Sequence, residues 1–217
     1  MYNTNFIILA SSIGYRMKTY EPRCTQKYRG KPLLHNLMDK IVEVDGDNII
    51  TLLSGFKRKK LNKCMMEYGH SYREVFNVNF ENTSMRHGMN VALGDPSKYN
   101  SVCFIHSDIY FEDSLYRFDY SKNFFTTNPH MANKEVGLIA NDGSAIQFNY
   151  ANEVKWGKIA NFAGDSKDAL VKLLEDEKSN EIDTEIYNKL LDSGHKAIVY
   201  PTNGWMMELD VIKDLNK

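Results

Sequence analysis

The sequence predicts an α/β fold, a three-layer Rossmann-like arrangement in which a mostly parallel mixed sheet carries helices on both faces. Apolar runs suited to buried strands alternate with amphipathic stretches through the first half of the chain. Strands that alternate with helices at this spacing form βαβ units of a parallel sheet. The chain has 217 residues, 42% of them apolar, which suffices for one full-sized core without staples.

The elements of the first half follow in order from residue 5. The apolar run 5–10 ends at Ser-Ser-Ile-Gly, as a strand buried on both faces ends in a loop. Pro32 opens a helix, because apolar residues then recur at helical spacing as far as Ile41. The pattern continues as strand 48–53, helix 57–68, strand 73–79, helix 84–93 and strand 101–107.

The second half is less regular. Strands 136–140 and 144–149 flank Asn-Asp-Gly, whose residues tolerate positive φ, which predicts a hairpin. Helices 166–177 and 181–192, a strand at 197–200 and a short helix from Val211 complete the chain. No Pro/Gly/Ser-rich linker interrupts it, so we expect residues 1–217 to form a single domain.

Composition excludes several classes of function. The formal net charge of −1 gives no general reason to bind nucleic acid or an anionic membrane. The apolar runs are far shorter than the roughly 20 residues that span a bilayer. The three cysteines show no CxxC spacing, which favours neither a disulfide framework nor a zinc site. We therefore expect a soluble, cytoplasmic protein.

The loop after the first strand is rich in small residues. It contains Ala10, Ser11, Ser12, Gly14 and Arg16. In a parallel sheet, ligands bind beyond the carboxyl ends of the strands, where backbone N–H groups of such a loop can meet phosphate oxygens. An arginine adds a forked donor for the same charge. By itself the loop is equally compatible with an ordinary turn.

Three segments in register carry a family resemblance. They are residues 9–17, Pro22-Arg23 and residues 30–34. They resemble the opening signature of the nucleotidyltransferase family, a Leu-Ala-Ala-Gly-x-Gly-x-Arg-Met loop followed by Pro-Lys and Gly-Lys-Pro-Leu-Leu. The match covers residues 6–41, and three pieces in register are more specific than any one of them.

The resemblance implies that the loop cradles a triphosphate, that Arg16 steadies its β- and γ-phosphates and that Arg23 stabilises charge at the α-phosphoryl group. Three positions depart from the family pattern. Ser11 and Ser12 stand where the family has alanine and glycine. Arg23, where the family has lysine, replaces a compact ammonium by a planar fork. It remains open at this stage that Arg23 is merely solvated and that Lys27 or Lys31 does its work.

Two carboxylates are candidate metal ligands. Asp108 follows the apolar strand 101–107, and Asp210 lies in a segment that resembles the family's closing Trp-x-Glu-Ile-Asp motif. The resemblance implies that both hold Mg²⁺ between the phosphates, although either residue could instead cap a turn or helix. Glu208 shares a face with Asp210 in an extended stretch and is assigned to the acceptor. His106 is interpreted as a histidine satisfied within its strand.

Two further segments are assigned to ligands through the same resemblance. Asn79 and Ser84 lie in the loop before a helix that faces the nucleotide base in the family, while a simple helix cap explains Ser84 equally well. Residues 153–162 are similar to the substrate-side strand of cytidylyltransferases that act on phospho-alcohols. Lys155 is assigned to the acceptor phosphate, with Lys158 as the other possibility, and Trp156 to a quaternary ammonium through cation–π attraction.

Together the motifs imply transfer of a nucleoside monophosphate from an NTP, with CTP favoured, to a phosphorylated small-molecule acceptor. Residues 1–110 are then the nucleotide-binding half and residues 111–217 the acceptor half, with a homodimer possible. A sugar-1-phosphate nucleotidyltransferase is the close alternative. A glycosyltransferase of the same fold is disfavoured because Asp108 has no Asp-x-Asp partner, and Ser12 and Arg23 leave an inactive nucleotide-binding relative open.

Overall fold

The computed structural model describes residues 3–14, 21–131, 136–150, 152–175 and 180–216. Its strands are β1 (Thr4–Ala10), β2 (Lys27–Tyr28), β3 (Lys31–Pro32), β4 (Ile49–Ser54), β5 (Arg73–Phe76), β6 (Ser101–His106), β7 (Ile109–Phe111), β8 (Phe124–Thr127), β9 (Gly137–Asn141), β10 (Ser144–Asn149), β11 (Trp156–Ala163), β12 (Ile198–Pro201) and β13 (Met206–Glu208). Its helices are α1 (Leu33–Val42), α2 (Arg58–Tyr68), α3 (Met85–Leu93), α4 (Gly164–Leu174) and α5 (Asp183–Asp192).

Nine strands form one mixed sheet in the order β5-β4-β1-β6-β11-β8-β12-β10-β9. The first four are parallel, as the strand–helix alternation predicts. Strand β11 then enters antiparallel to both β6 and β8. The predicted α/β class with helices on both faces is therefore confirmed, and the antiparallel centre is an addition that the sequence pattern did not reveal.

The two faces of the sheet bury separate clusters of apolar side chains. Because successive residues of a strand point to opposite faces, Phe6 and Ile8 pack towards α1 and α2, whereas Ile7 and Leu9 pack towards α3, α4 and α5. All seven residues of β1 are buried, as expected for a strand in the middle of a three-layer fold.

Local chemistry explains where several elements begin and end. Asp142 and Gly143 have φ angles of 47° and 75°, which gives the predicted hairpin between β9 and β10. The predicted strand 73–79 stops at Phe76 because the side-chain Oδ1 of Asn77 accepts a hydrogen bond from the Asn79 N–H at 3.1 Å and turns the chain. The closing helix is a 3₁₀ turn, Ile212–Asn216.

Within the described ranges, no helix combines the length and the apolar character needed to cross a membrane.

Candidate active site

A cleft lies at the edge of the sheet where the parallel strands β1, β4, β5 and β6 end. The outer cleft has a volume of about 450 Å³ and is lined by Ser12, Ile13, Gly14, Arg23, Phe80, Glu81, Thr83, Glu208 and Asp210. Below it lies an inner pocket of about 140 Å³, lined by Leu9, Ser11, Ser12, Arg23, Leu53, Asn77, Phe80, Thr83, Ser84, Met85, His106 and Asp108. Because the two cavities share Ser12 and Arg23, they form one continuous site.

A short ribbon of two strands brings the end of the chain to this site. Strand β13 pairs antiparallel with β7, so that Glu208 lies opposite Ile109. The next residue, Leu209, donates its backbone N–H to the carbonyl oxygen of Asp108 at 2.7 Å. Asp108 and Asp210, about a hundred residues apart in sequence, are therefore neighbours in space.

Arg23 joins the carboxylates to the first loop. Its Nη2 lies 2.6 Å from Asp108 Oδ2, and its Nη1 lies 3.5 Å from Asp210 Oδ1 and 3.9 Å from Glu208 Oε1. The same guanidinium donates to Ser12 Oγ at 3.4 Å. Only 17% of the Arg23 side chain is exposed, so Arg23 is not a solvated surface residue. Lys31, one of the two alternatives to Arg23, pairs instead with Asp39 on the surface.

A second cation faces the carboxylates from strand β11. Lys158 Nζ lies 3.4 Å from Glu208 Oε2, and both side chains are largely buried. Arg23 and Lys158 thus supply two positive charges against the three negative charges of Asp108, Glu208 and Asp210. Each carboxylate of this cluster therefore lies close to a positively charged side chain.

The backbone at Lys158 is strained. Its φ is 63°, a left-handed conformation that a lysine rarely adopts, and the pairing of β11 with β8 shifts register between Trp156 and Ala160. The bulge lies at the end of β11 that starts beside the cleft, because β11 runs antiparallel to β6. Strain of this kind persists where the surroundings hold the residue in place, and it occurs often at functional sites.

The carboxylate oxygens of Asp108 and Asp210 are ligands that suit a hard cation. Asp108 is 5% exposed, and its Oδ1 is buried without a hydrogen-bond partner in the described part of the chain. Asp210 is equally buried, and its backbone is fixed by Asp214, whose carboxylate accepts the N–H groups of Asp210 and Val211. Among the described residues, no group of three or more His, Cys, Asp or Glu forms a complete metal site. Two carboxylates plus phosphate oxygens are, however, a usual ligand set for Mg²⁺.

The first loop lies along the outer cleft as far as it is described. Positive φ falls on Gly14, at 65°, and not on Ser12, so the serine does not strain the loop. A Cβ on Gly14 would lie 2.8 Å from Arg23 Nε, which shows how closely the loop approaches the guanidinium. Ala10 is buried at the end of β1. Arg16 lies outside the described residues.

The loop before α3 brings one of its two predicted residues, Ser84, to the inner pocket. Ser84 lines the inner pocket and also caps α3, because its Oγ accepts the His87 N–H at 3.2 Å. The Asn79 side chain lines neither cavity. Asn77 takes its place in the inner pocket, where its Nδ2 donates to Thr83 Oγ1 at 2.8 Å. The sequence signal for Asn77 was its position directly after β5.

Two residues assigned to the acceptor lie elsewhere. The ammonium of Lys155 donates to the carbonyl of Asn152, so it ties down a loop and does not reach the cleft. Trp156 is 1% exposed, and the Lys158 ammonium lies 5.4 Å from its ring centroid, so the ring has no face left for a ligand's quaternary ammonium. Sequence spacing could not separate Lys155 from Lys158, because only the folded chain shows that the Lys158 ammonium, and not that of Lys155, pairs with Glu208 of the outer cleft.

One cysteine lies beside Arg23. Cys24 is buried, and burial raises the pKa of its thiol to about 12. At neutral pH the thiol is therefore protonated, and it acts as a packing residue and not as a nucleophile.

Comparisons with known proteins agree at the level of the fold. No family model matches the chain, and no curated protein matches it by sequence. Similar solved structures include the inositol-1-phosphate CTP transferase from T. maritima, with a TM-score of 0.78 and 15% identity over 98% of this chain and 91% of that one. The CTP:phosphocholine cytidylyltransferase from Streptococcus pneumoniae has a TM-score of 0.77 and 17% identity over 98% and 96% of the two chains. A nucleoside-diphosphate-sugar pyrophosphorylase from Vibrio cholerae has a TM-score of 0.73 and 11% identity over 97% and 98%.

The chain has the nucleotidyltransferase fold. This confirms the fold that the resemblance of the opening motifs implies.

Proposed function

We propose that this protein is a nucleotidyltransferase that transfers a nucleoside monophosphate from an NTP to a phosphorylated small molecule and releases pyrophosphate. One observation carries the proposal. Asp108 and Asp210 converge on Arg23 beside the Ser12–Gly14 loop, at the edge of the sheet where ligands of α/β proteins bind.

The reaction needs positioning and charge neutralisation more than acid–base chemistry. A phosphate oxygen of the acceptor attacks the α-phosphorus of the NTP and forms a P–O bond, while the bond to the bridging oxygen of the β-phosphate breaks and pyrophosphate leaves. The acceptor is already an anion at neutral pH, so no strong base is required. In this proposal the backbone of the first loop and the guanidinium of Arg23 stabilise the charge on the phosphates.

Asp108 and Asp210 are proposed to hold Mg²⁺. The buried Oδ1 of Asp108, which has no hydrogen-bond partner among the described residues, supports this assignment. When bound, the ion would neutralise phosphate charge and align the reacting groups.

Lys158 is proposed to bind the acceptor phosphate. Its buried ammonium pairs with Glu208, which lines the outer cleft, and it replaces Lys155 in this role. Glu208, which pairs with Lys158, is then placed to accept a hydrogen bond from a hydroxyl of the acceptor. CTP and a phospho-alcohol are favoured because two of the similar structures are, by name, CTP-dependent enzymes for inositol phosphate and phosphocholine.

A sugar 1-phosphate is the second candidate acceptor, and the likeness to a nucleoside-diphosphate-sugar pyrophosphorylase favours it. The distinction lies in the acceptor half of the cleft, where Lys158 serves the phosphate of either class.

The experiment is an acceptor panel. The protein is incubated with each of the four NTPs, Mg²⁺ and phosphocholine, phosphoethanolamine, inositol phosphate or a hexose 1-phosphate, and pyrophosphate is measured. Pyrophosphate that appears only with an acceptor supports the proposal. NDP released from a nucleotide-sugar without pyrophosphate would favour a glycosyltransferase, and tight NTP binding without turnover would show an inactive relative.

A further inference from the structure

A buried histidine–aspartate pair lies on the floor of the inner pocket and has no part in the phosphate chemistry above. His106 Nε2 and Asp183 Oδ2 are 2.7 Å apart, and the side chains are 13% and 5% exposed. Asp183 is the first residue of α5. His106 lines the pocket together with Asp108.

The local structure at the start of α5 does not require the pairing of Asp183 with His106. Asp183 already accepts the Thr184 N–H through Oδ1, which satisfies a backbone group at the start of α5. Its second carboxylate oxygen, Oδ2, is buried and pairs with the ring of His106. Burying such a pair costs desolvation, and apolar residues of similar volume commonly give equal or greater stability. A role in ligand binding accounts for its position at the pocket floor.

The histidine ring is held in one orientation. Asp183 fixes one edge, and the Trp156 ring contacts it edge-on with centroids 5.3 Å apart at 85°. An ionised carboxylate can only accept, so the hydrogen-bond network assigns the proton to Nε2. In the neutral ring Nδ1 is then an acceptor, suited to a hydroxyl donor.

The position of His106 selects the part of the ligand that it would meet. It lies two residues from Asp108, so the two Cα atoms are at most about 7 Å apart. In an NTP, the sugar is the group that follows the α-phosphate. The pocket also has apolar walls from Leu9, Leu53 and Met85, which suit the carbon atoms of a sugar ring. Its volume of about 140 Å³ is that of about five water molecules, so it accepts one ring of a ligand and not a whole nucleotide.

We propose that His106, oriented by Asp183, accepts a hydrogen bond from a ribose hydroxyl of the NTP and makes the enzyme selective for ribonucleotides. The inference rests on the proposed function, because it places the phosphates at Arg23 and Asp108. His106 is then a specificity-determining residue, and Asp183 a positioning residue that acts through it.

The test compares CTP, 2′-deoxy-CTP and 3′-deoxy-CTP, or the same three forms of whichever base the enzyme prefers. Both kcat/KM and the equilibrium dissociation constant without acceptor are measured, the latter by calorimetry with Mg²⁺. A buried acceptor left without its donor costs about 5- to 100-fold in affinity, so the wild type should discriminate against one of the deoxy forms by about that factor. The deoxy form that is rejected identifies the hydroxyl.

His106→Leu should bind the ribo and deoxy forms equally. Asp183→Asn keeps the shape but no longer fixes the proton on Nε2, and should reduce the discrimination partly. His70→Leu, which removes an exposed imidazole that lines neither cavity, is the matched control and should discriminate like the wild type. A merely structural histidine would change stability without changing the ratio of ribo to deoxy affinity.

Three outcomes would overturn the inference. They are a wild type that binds all three forms equally, a His106→Leu variant that keeps the wild-type ratio, and a variant in which only the KM for the acceptor changes. Should His106→Leu not fold, the wild type and Asp183→Asn still decide the matter. Pyrophosphate release by the wild type tests the proposed transferase separately, and the calorimetric ratio stands even without turnover.

Discussion

Asp108→Asn should nearly abolish turnover while leaving the protein folded. The substitution keeps the size of the side chain and removes one negative charge from the pair that is proposed to hold Mg²⁺. We expect kcat to fall about 10³-fold, which corresponds to about 4 kcal/mol of lost transition-state stabilisation.

The expected loss of folding stability is much smaller than the loss in activity, because Arg23 pairs with Glu208 and Asp210 as well as with Asp108. The variant loses a charge-assisted bond of 2.6 Å, a type of contact worth about 1.5–3 kcal/mol. Arg23 retains Asp210 at 3.5 Å and Glu208 at 3.9 Å, and an amide oxygen can still accept from it. We therefore expect the free energy of unfolding to fall by about 1–2 kcal/mol, well within the 5–15 kcal/mol of a typical domain.

The assay is pyrophosphate release over a series of Mg²⁺ concentrations, with urea unfolding measured on the same preparations. Asp39→Asn, which breaks a surface ion pair with Lys31, is the matched control and should behave like the wild type. Near-normal turnover of Asp108→Asn at saturating Mg²⁺ would refute the assignment. An unfolded variant would instead contradict the shared-charge estimate.

Three more predictions follow from particular contacts. Lys158→Met should raise the KM for the acceptor about 10- to 100-fold with little change in the KM for the NTP, whereas Lys155→Met should change neither; equal kinetic effects would contradict the placement of the two lysines. The hydrogen bond from Arg58 lowers the pKa of Glu74 to about 2, so Glu74→Gln should lower the free energy of unfolding by about 1–2 kcal/mol at pH 7. This difference, measured by urea unfolding across pH, should vanish as the pH falls from about 4.5 towards 2, and a difference that persists at pH 2 would exclude the ion pair as its source. Because burial raises the pKa of the Cys24 thiol to about 12, iodoacetamide at pH 8 should label this residue in urea but not in the native protein, as followed by mass spectrometry, and rapid native labelling would contradict its burial.

The regular part of the fold was predictable because local pattern and tertiary structure agree there. The buried run of β1 and the helical spacing of α1 are visible in sequence, and their ends shift by only one or two residues in the structure. Strand β11 was harder to place, since an apolar run does not reveal whether it enters a sheet parallel or antiparallel.

The candidate site likewise has residues that the sequence motifs predict and contacts that only the folded chain shows. Asp108 and Asp210 could be named from motifs, whereas their contact depends on three residue pairs of the β7–β13 ribbon. The choice between Lys155 and Lys158 could not be made from the sequence, because only the folded chain shows which of the two ammonium groups pairs with Glu208. His106 and Asp183 are 77 positions apart, and each has an ordinary local explanation, so nothing in the sequence joins them.

The ribbon of β7 and β13 also determines when a newly made chain can complete the cleft. Residues 3–14 and 21–106 supply the parallel strands first, whereas Asp210 is synthesised about a hundred residues after Asp108. Pairings between such distant segments also form late in folding, because loop closure opposes them. A chain in which this ribbon has not yet formed would thus have its parallel strands in place while the cleft still lacks Asp210.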